Sequence, residues 1–184
     1  MTTKFKALAG AMIAALCFSA VSAAADSVII GGTVPDGHIC EQVWADSGSP
    51  EEAAAVFIAA LVTLETDPDA ARDCIERIVD GRYLNGGAIN AELDRHLARL
   101  IMSPAIARSY LEFATPDTGY ALPGEPPWRI LFTRDRRFDL GDGFYQVRVQ
   151  RSGASADREV RLRRDGQGRY RIYEASDLLV AVGG

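Results

Sequence analysis

Lysine disappears from this chain after Lys6, so every later cation is one of 18 arginines. Histidine is nearly absent, with only His38 and His96, and cysteine stops at Cys17, Cys40 and Cys74. No Gly-rich phosphate loop, nucleophile elbow or paired zinc-ligand motif occurs. The signatures of phosphate-loop, hydrolase-elbow and zinc-finger chemistry are therefore missing. Beyond residue 25 the best candidate for a spanning stretch, Val56 to Leu64, has only the length of a buried helix, well short of the roughly 20 residues that span a bilayer. A net charge of −5 argues against general nucleic-acid binding, which calls for a clearly basic domain.

Titratable chemistry is correspondingly sparse. His96 follows Glu92 by four residues, so the pair shares a helix surface where carboxylate and imidazole could do acid–base or metal chemistry. With Leu93 and Leu100 beside them, a helical surface pair is the simpler reading. His38 stands near Asp36 and Cys40, but a metal there would consume a cysteine expected in a disulfide. Asp67, Asp69 and Asp73 mimic calcium-loop spacing; Pro68 and the helical pattern after it exclude such a loop. No catalytic residue, metal or cofactor is assigned on these grounds.

Residues 1–25 have the order of a cleavable signal peptide: Lys4 and Lys6, an apolar stretch from Ala7 to Ala20, then Val21-Ser22-Ala23-Ala24-Ala25. Small residues permit cleavage after Ala23 or Ala25. Leu16 before Cys17 speaks against lipid attachment. A periplasmic or secreted protein without a retained anchor is expected, of about 160 residues, enough for one domain. Its two remaining cysteines, Cys40 and Cys74, are expected to pair in an oxidising compartment. The bridge would contribute about 3 to 4 kcal/mol by loop closure and fix one end of a lead-in at 26–48 that is irregular apart from a short strand at Val28 to Ile30.

From residue 49 a single α+β domain is expected. Ser49-Pro50-Glu51-Glu52 and Asp67-Pro68-Asp69 are helix starts, the first opening a helix to about Glu65, apolar nearly all round. The second carries Cys74, Ile75, Ile78 and Val79 inward and ends at Gly81. A third runs from about Ile89 to Met102, and Ser103-Pro104 opens a fourth with Ile106, Tyr110 and Phe113 on one face. The helical part thus covers 49–114. After Pro127 the apolar period shifts from 3.6 to 2, and short turns at Gly141-Asp142-Gly143, Ser152-Gly153 and Asp165-Gly166-Gln167-Gly168 predict an antiparallel meander of four or more strands within 127–180. Helices before strands imply helices packed on one sheet face.

Four segments resemble successive blocks of an uncharacterised bacterial family: Ala114-Thr115-Pro116-Asp117-Thr118-Gly119-Tyr120, Pro126-Pro127-Trp128, Arg151-Ser152-Gly153-Ala154, and Ile172-Tyr173-Glu174-Ala175-Ser176-Asp177-Leu178-Leu179-Val180. The likeness covers roughly residues 103–180 and implies a domain without an assigned activity. The order of elements is also similar to the cone-shaped folds of the nuclear-transport-factor and ketosteroid-isomerase group, a likeness of fold alone.

Charge is divided along the chain. Residues 26–125 carry 6 arginines against 17 acids, and residues 126–184 carry 12 against 8. By strand parity Arg129, Arg148, Arg161, Arg163, Arg169 and Arg171 take the polar sheet face, where planar guanidinium forks suit carboxylates and phosphates. The expected role is that of a non-enzymatic binding or interaction module, an accessory of an envelope or secretion assembly, docking an acidic protein or envelope component. The alternative is a cone-fold enzyme or carrier with an apolar pocket lined by Tyr110, Tyr120, Trp128 and Tyr145. Nothing in the sequence assigns an oligomeric state.

Overall fold

A computed structural model describes residues 27–133, 138–154 and 156–180; the expected signal peptide lies outside them. Strand β1 (Ser27–Ile30) leads into helices α1 (Gly37–Ala45), α2 (Pro50–Thr63) and α3 (Pro68–Ile78). A two-residue hairpin, β2 (Leu84–Asn85) and β3 (Ala88–Ile89), precedes α4 (Ala91–Met102) and the single turn α5 (Ala105–Arg108). Strands β4 (Trp128–Thr133), β5 (Asp139–Gly141), β6 (Phe144–Val149), β7 (Arg158–Arg164) and β8 (Tyr170–Glu174) follow. The fold is α+β, as the change of period requires.

The helix starts obey their capping chemistry. Ser49 and Asp67 accept from the N–H groups of Glu52 and Ala70, each with Pro at the first helical position, which satisfies donors the helix leaves open. α2 is buried over nearly its whole length and packs against β1, β6, β7 and β8, with α1 and α3 beside it. Its side chains join Val147, Val149, Val160, Leu162 and Ile172 of the inner sheet face in one core.

Four expectations are corrected. The lead-in is expected to be irregular apart from a short strand at Val28 to Ile30; that strand is β1, but the nine-residue α1 that follows it is not expected. Ile39, Cys40, Val43 and Trp44 do have helical spacing, but poor helix formers at Gly37 and His38 conceal it, and burial of Cys40 and Trp44 settles the conformation. The sheet extends the expected meander: its order is β1-β4-β6-β7-β8, with β5 paired to β6, so β1 adds a strand along the β4 edge. The helix expected from Ile89 starts at Ala91, because Asn90 caps it while Ile89 pairs with Leu84. Finally, the last helix stops at Arg108. Ser109 Oγ donates to the Ile106 carbonyl at 2.7 Å, and the Glu112 N–H donates at 2.8 Å to Arg129 of β4. Phe113, expected inward with Ile106 and Tyr110, has φ 72° and is 71% exposed.

Cys40 and Cys74 stand at disulfide-bonding distance, their Cα atoms 5.5 Å apart, and tie α1 to α3. Among the described residues no helix is long and apolar enough to cross a membrane.

Candidate functional site

Register lays the outer face of the sheet out in rows. Thr133, Arg148 and Glu159 form one across β4, β6 and β7; Gln146, Arg161 and Glu174 form the next across β6, β7 and β8. Phe144, Arg163 and Arg171 form the third. Arg129, Arg148, Arg161 and Arg163 are exposed. Phe144 and Tyr173 meet edge to face at 4.9 Å, and the Arg163 and Arg82 guanidinium groups lie over Tyr173 at 6.0 and 4.8 Å. This face therefore presents charge and aromatic surface together, with Phe144 and Tyr173 added to the arginines that strand parity singled out.

Much of that charge has local partners. Arg161 Nη2 lies 2.8 Å from Glu159 Oε1 and Arg163 Nη2 lies 2.5 Å from the buried Asp80. Arg129 is more loosely placed, 3.6 Å from Glu112. Arg82 pairs with Glu174 at 2.7 Å. Desolvation pushes the Glu174 carboxyl upward, but hydrogen bonds from Ser176, the Arg82 charge and the Tyr83 hydroxyl outweigh it and hold its pKa below 4.5. Burial drives the Tyr83 hydroxyl the other way, up to about 12.

Arg169 and Arg171 are placed differently from the other four. They sit half-buried against the Trp44 indole, their guanidinium carbons 4.7 and 4.8 Å from the ring centroid. Asp165 ties them together, accepting from Arg169 Nε at 3.2 Å and Arg171 Nε at 3.1 Å. Arg171 also donates to the Arg77 and Val79 carbonyls at the end of α3. Trp44 Nε1 donates to the Tyr170 carbonyl at 2.7 Å, closing α1 onto β8. These two arginines build structure. Parity could not reveal this, because their partner Trp44 lies 125 residues or more away in the chain.

The four aromatic residues considered as pocket lining stand in different settings. Tyr110 is buried and donates to the Leu178 carbonyl at 3.0 Å, while Trp128 donates to Gly124 at 2.9 Å. Tyr120 sits in the connecting loop at φ 56°, and Tyr145 makes edge contacts with Phe138 and Tyr170. Of the four, Tyr110 lines a pocket of about 220 Å³, together with Glu112, Leu131, Gln150, Arg151, Ser152 and Gly153. A smaller apolar cavity of about 30 Å³ lies between the loop after β1 and helices α1 and α2.

Two of the segments that carry the family resemblance, 114–120 and 151–154, meet near that larger pocket. Ser152 N donates to the Ser109 carbonyl at 2.8 Å and Ser152 Oγ to the Leu111 carbonyl at 2.6 Å. Gly153 packs so closely on Pro116 and Thr115 that a methyl group there would lie 2.3 Å from Pro116 Cδ. Residues 33–183 match a domain of unknown function, DUF6935, and the chain belongs to that family. The match extends well upstream of the four blocks, over the helical half. No curated protein and no solved structure matches.

Proposed function

We propose that this chain is an exported, non-enzymatic binding module that docks an acidic protein or envelope component on the outer face of its sheet. The observation that carries the reading is the grouping of exposed Arg148, Arg161 and Arg163 on β6 and β7 beside Phe144 and Tyr173, with Arg129 further along the same face on β4. Arg129 and Arg161 can exchange a partly exposed intramolecular carboxylate for a partner's at little cost, since surface ion pairs contribute only about 0 to 1 kcal/mol, whereas Arg163 stays committed to the buried Asp80. Flanking aromatics supply apolar area of the kind that concentrates binding energy at interfaces. Export follows from the signal-like residues 1–25 and agrees with a cysteine pair at bonding distance.

Retention on immobilised poly-glutamate tests the docking face. The mature chain, with 18 arginines against 25 acids and so a net charge of −7, is repelled by a polyanion on average, so retention requires a local basic patch. The mature protein is expected to be retained at low salt and released as salt rises. An Arg148→Ala/Arg161→Ala double variant is expected to lose that retention. Equal retention and equal salt dependence in the variant would overturn the assignment.

A further inference from the structure

The two edges of the main sheet are finished differently. At the β8 edge the Tyr170 carbonyl accepts from Trp44 Nε1 at 2.7 Å and the Ile172 carbonyl accepts from the Asp80 N–H at 2.9 Å, while Val79 bridges to Ile172. The end of α3 and the Trp44 indole therefore cover that edge. β1 forms the opposite edge, and the direction of its free backbone groups follows from β4. The Arg129 and Leu131 carbonyls accept from Glu112 N and Gln150 N on the β6 side, so Trp128 and Ile130 are the β4 residues that bond to Ile30 and Val28. Ser27 and Ile29 consequently direct their N–H and C=O groups away from the sheet, and no described residue hydrogen-bonds to them there.

Native sheets blunt their edges with charge, proline, a bulge or a covering element, because an open row of donors and acceptors templates pairing with another chain. β1 has none of these. Its residues, Ser-Val-Ile-Ile, are uncharged and its register with β4 is continuous. Val28 and Ile30 are buried in the core, while Ile29, on the outer face, is 50% exposed. The segment is also self-complementary. With Ile29 on a two-fold axis, antiparallel pairing sets the two copies of Ile29 opposite each other, where they exchange both N–H···O bonds. Ser27 then faces Gly31 of the second copy, so no like charges meet and no bulky side chain is opposed. The half-exposed isoleucines cover one another as a cross-strand apolar pair.

We propose that β1 is a self-association edge: a second copy of this chain pairs antiparallel with it, Ile29 opposite Ile29, and joins the two sheets into one. The outer faces then run on continuously, since Ile29 lies in register with Arg129. So short a strand buries little area beside the roughly 1,200 Å² of a stable interface, and the dimer is expected to be reversible and to form as concentration rises. The pairing needs no acidic partner and none of the arginines on β6 and β7, so it stands apart from the docking reading.

Sedimentation equilibrium of the mature protein tests the assignment. The mean mass is expected to rise toward twice that of the monomer as concentration approaches about 1 mM, the range of weak association. Ile29→Lys sets like charges opposite each other across the axis, at a position half-exposed in the monomer. It is expected to keep the wild-type melting midpoint in dilute solution and to abolish the rise in mass. The register is read by mild oxidation of variants with one added cysteine. Facing residues of a hydrogen-bonded antiparallel pair have Cα atoms about 5.5 Å apart, within disulfide reach, so Ile29→Cys is expected to give a reducible dimer. Ser27→Cys, whose two copies stand about 14 Å apart along the strands, is expected to remain monomeric. A monomeric mass throughout the range overturns the proposal, as does a dimer that Ile29→Lys leaves intact. Cross-linking through Ser27→Cys as strong as that through Ile29→Cys overturns the pairing. The wild-type mass decides the question even if Ile29→Lys does not fold.

Discussion

Removing the Cys40–Cys74 link should destabilise the protein by an amount set by loop closure in the unfolded chain. The sequence separation is 34 residues, for which the chain-entropy relation gives about 4 kcal/mol. For a domain of this size each kcal/mol moves the melting midpoint by about 2 to 4 °C, so a Cys40→Ala/Cys74→Ala variant is expected to melt about 8 to 16 °C lower. Alanine is preferred to serine because both positions are essentially fully buried, and a hydroxyl there would add an unsatisfied polar group. The native contacts of the linked segment should survive. β1 keeps its four-residue pairing with β4, Val34 N still donates to Thr63 Oγ1 at 2.9 Å, and Trp44 stays bonded to Tyr170. Calorimetry measures the midpoint, and near-ultraviolet circular dichroism follows the Trp44 environment. A drop below about 4 °C, loss of the Trp44 signal at ambient temperature, or two alkylatable thiols in the untreated native protein would each refute this reasoning.

Gly153→Ala is expected to cost about 2 to 4 kcal/mol, because its methyl group would meet Pro116 and an L side chain is strained at positive φ; here φ is 75°. Urea midpoints measure the loss, and a change under 1 kcal/mol would mean that the two blocks are not locked together. Acid stability should depend on Asp165. Desolvation pushes its carboxyl upward, but the backbone N–H groups of Arg169 and Gln167 and the Arg169 guanidinium prevail, so its folded pKa lies below 3.8. The unfolded chain therefore takes up the proton first as pH falls, and the stabilisation present above about pH 4 is lost below it. Asp165→Asn should flatten the decline of urea midpoints between about pH 5 and pH 2; an unchanged slope would remove Asp165 from the account.

The starts of α2 and α3, the alternation in β4, β6 and β7, and the inward Cys74 were legible in the chain because each depends on neighbours a few residues away. A cap, a proline at the first helical turn and a period of two or 3.6 are local properties. By themselves they determined an α+β domain with its helices ahead of its sheet. What they could not supply is the partner of each side chain across space. α1 has weak local propensity and exists because Trp44 and Cys40 are buried against β8 and α3. Only the tertiary structure separated the arginines into those that face outward, Arg169 and Arg171 clamping an indole, and Arg151 enclosed beside a pocket. Strand parity assigns a face; it says nothing of which carboxylate, ring or carbonyl stands opposite a guanidinium once the chain has folded. The environment of Arg151 depends on Ser109, Leu111 and Pro116, some 35 to 42 residues earlier, and that distance puts it beyond the reach of any local pattern.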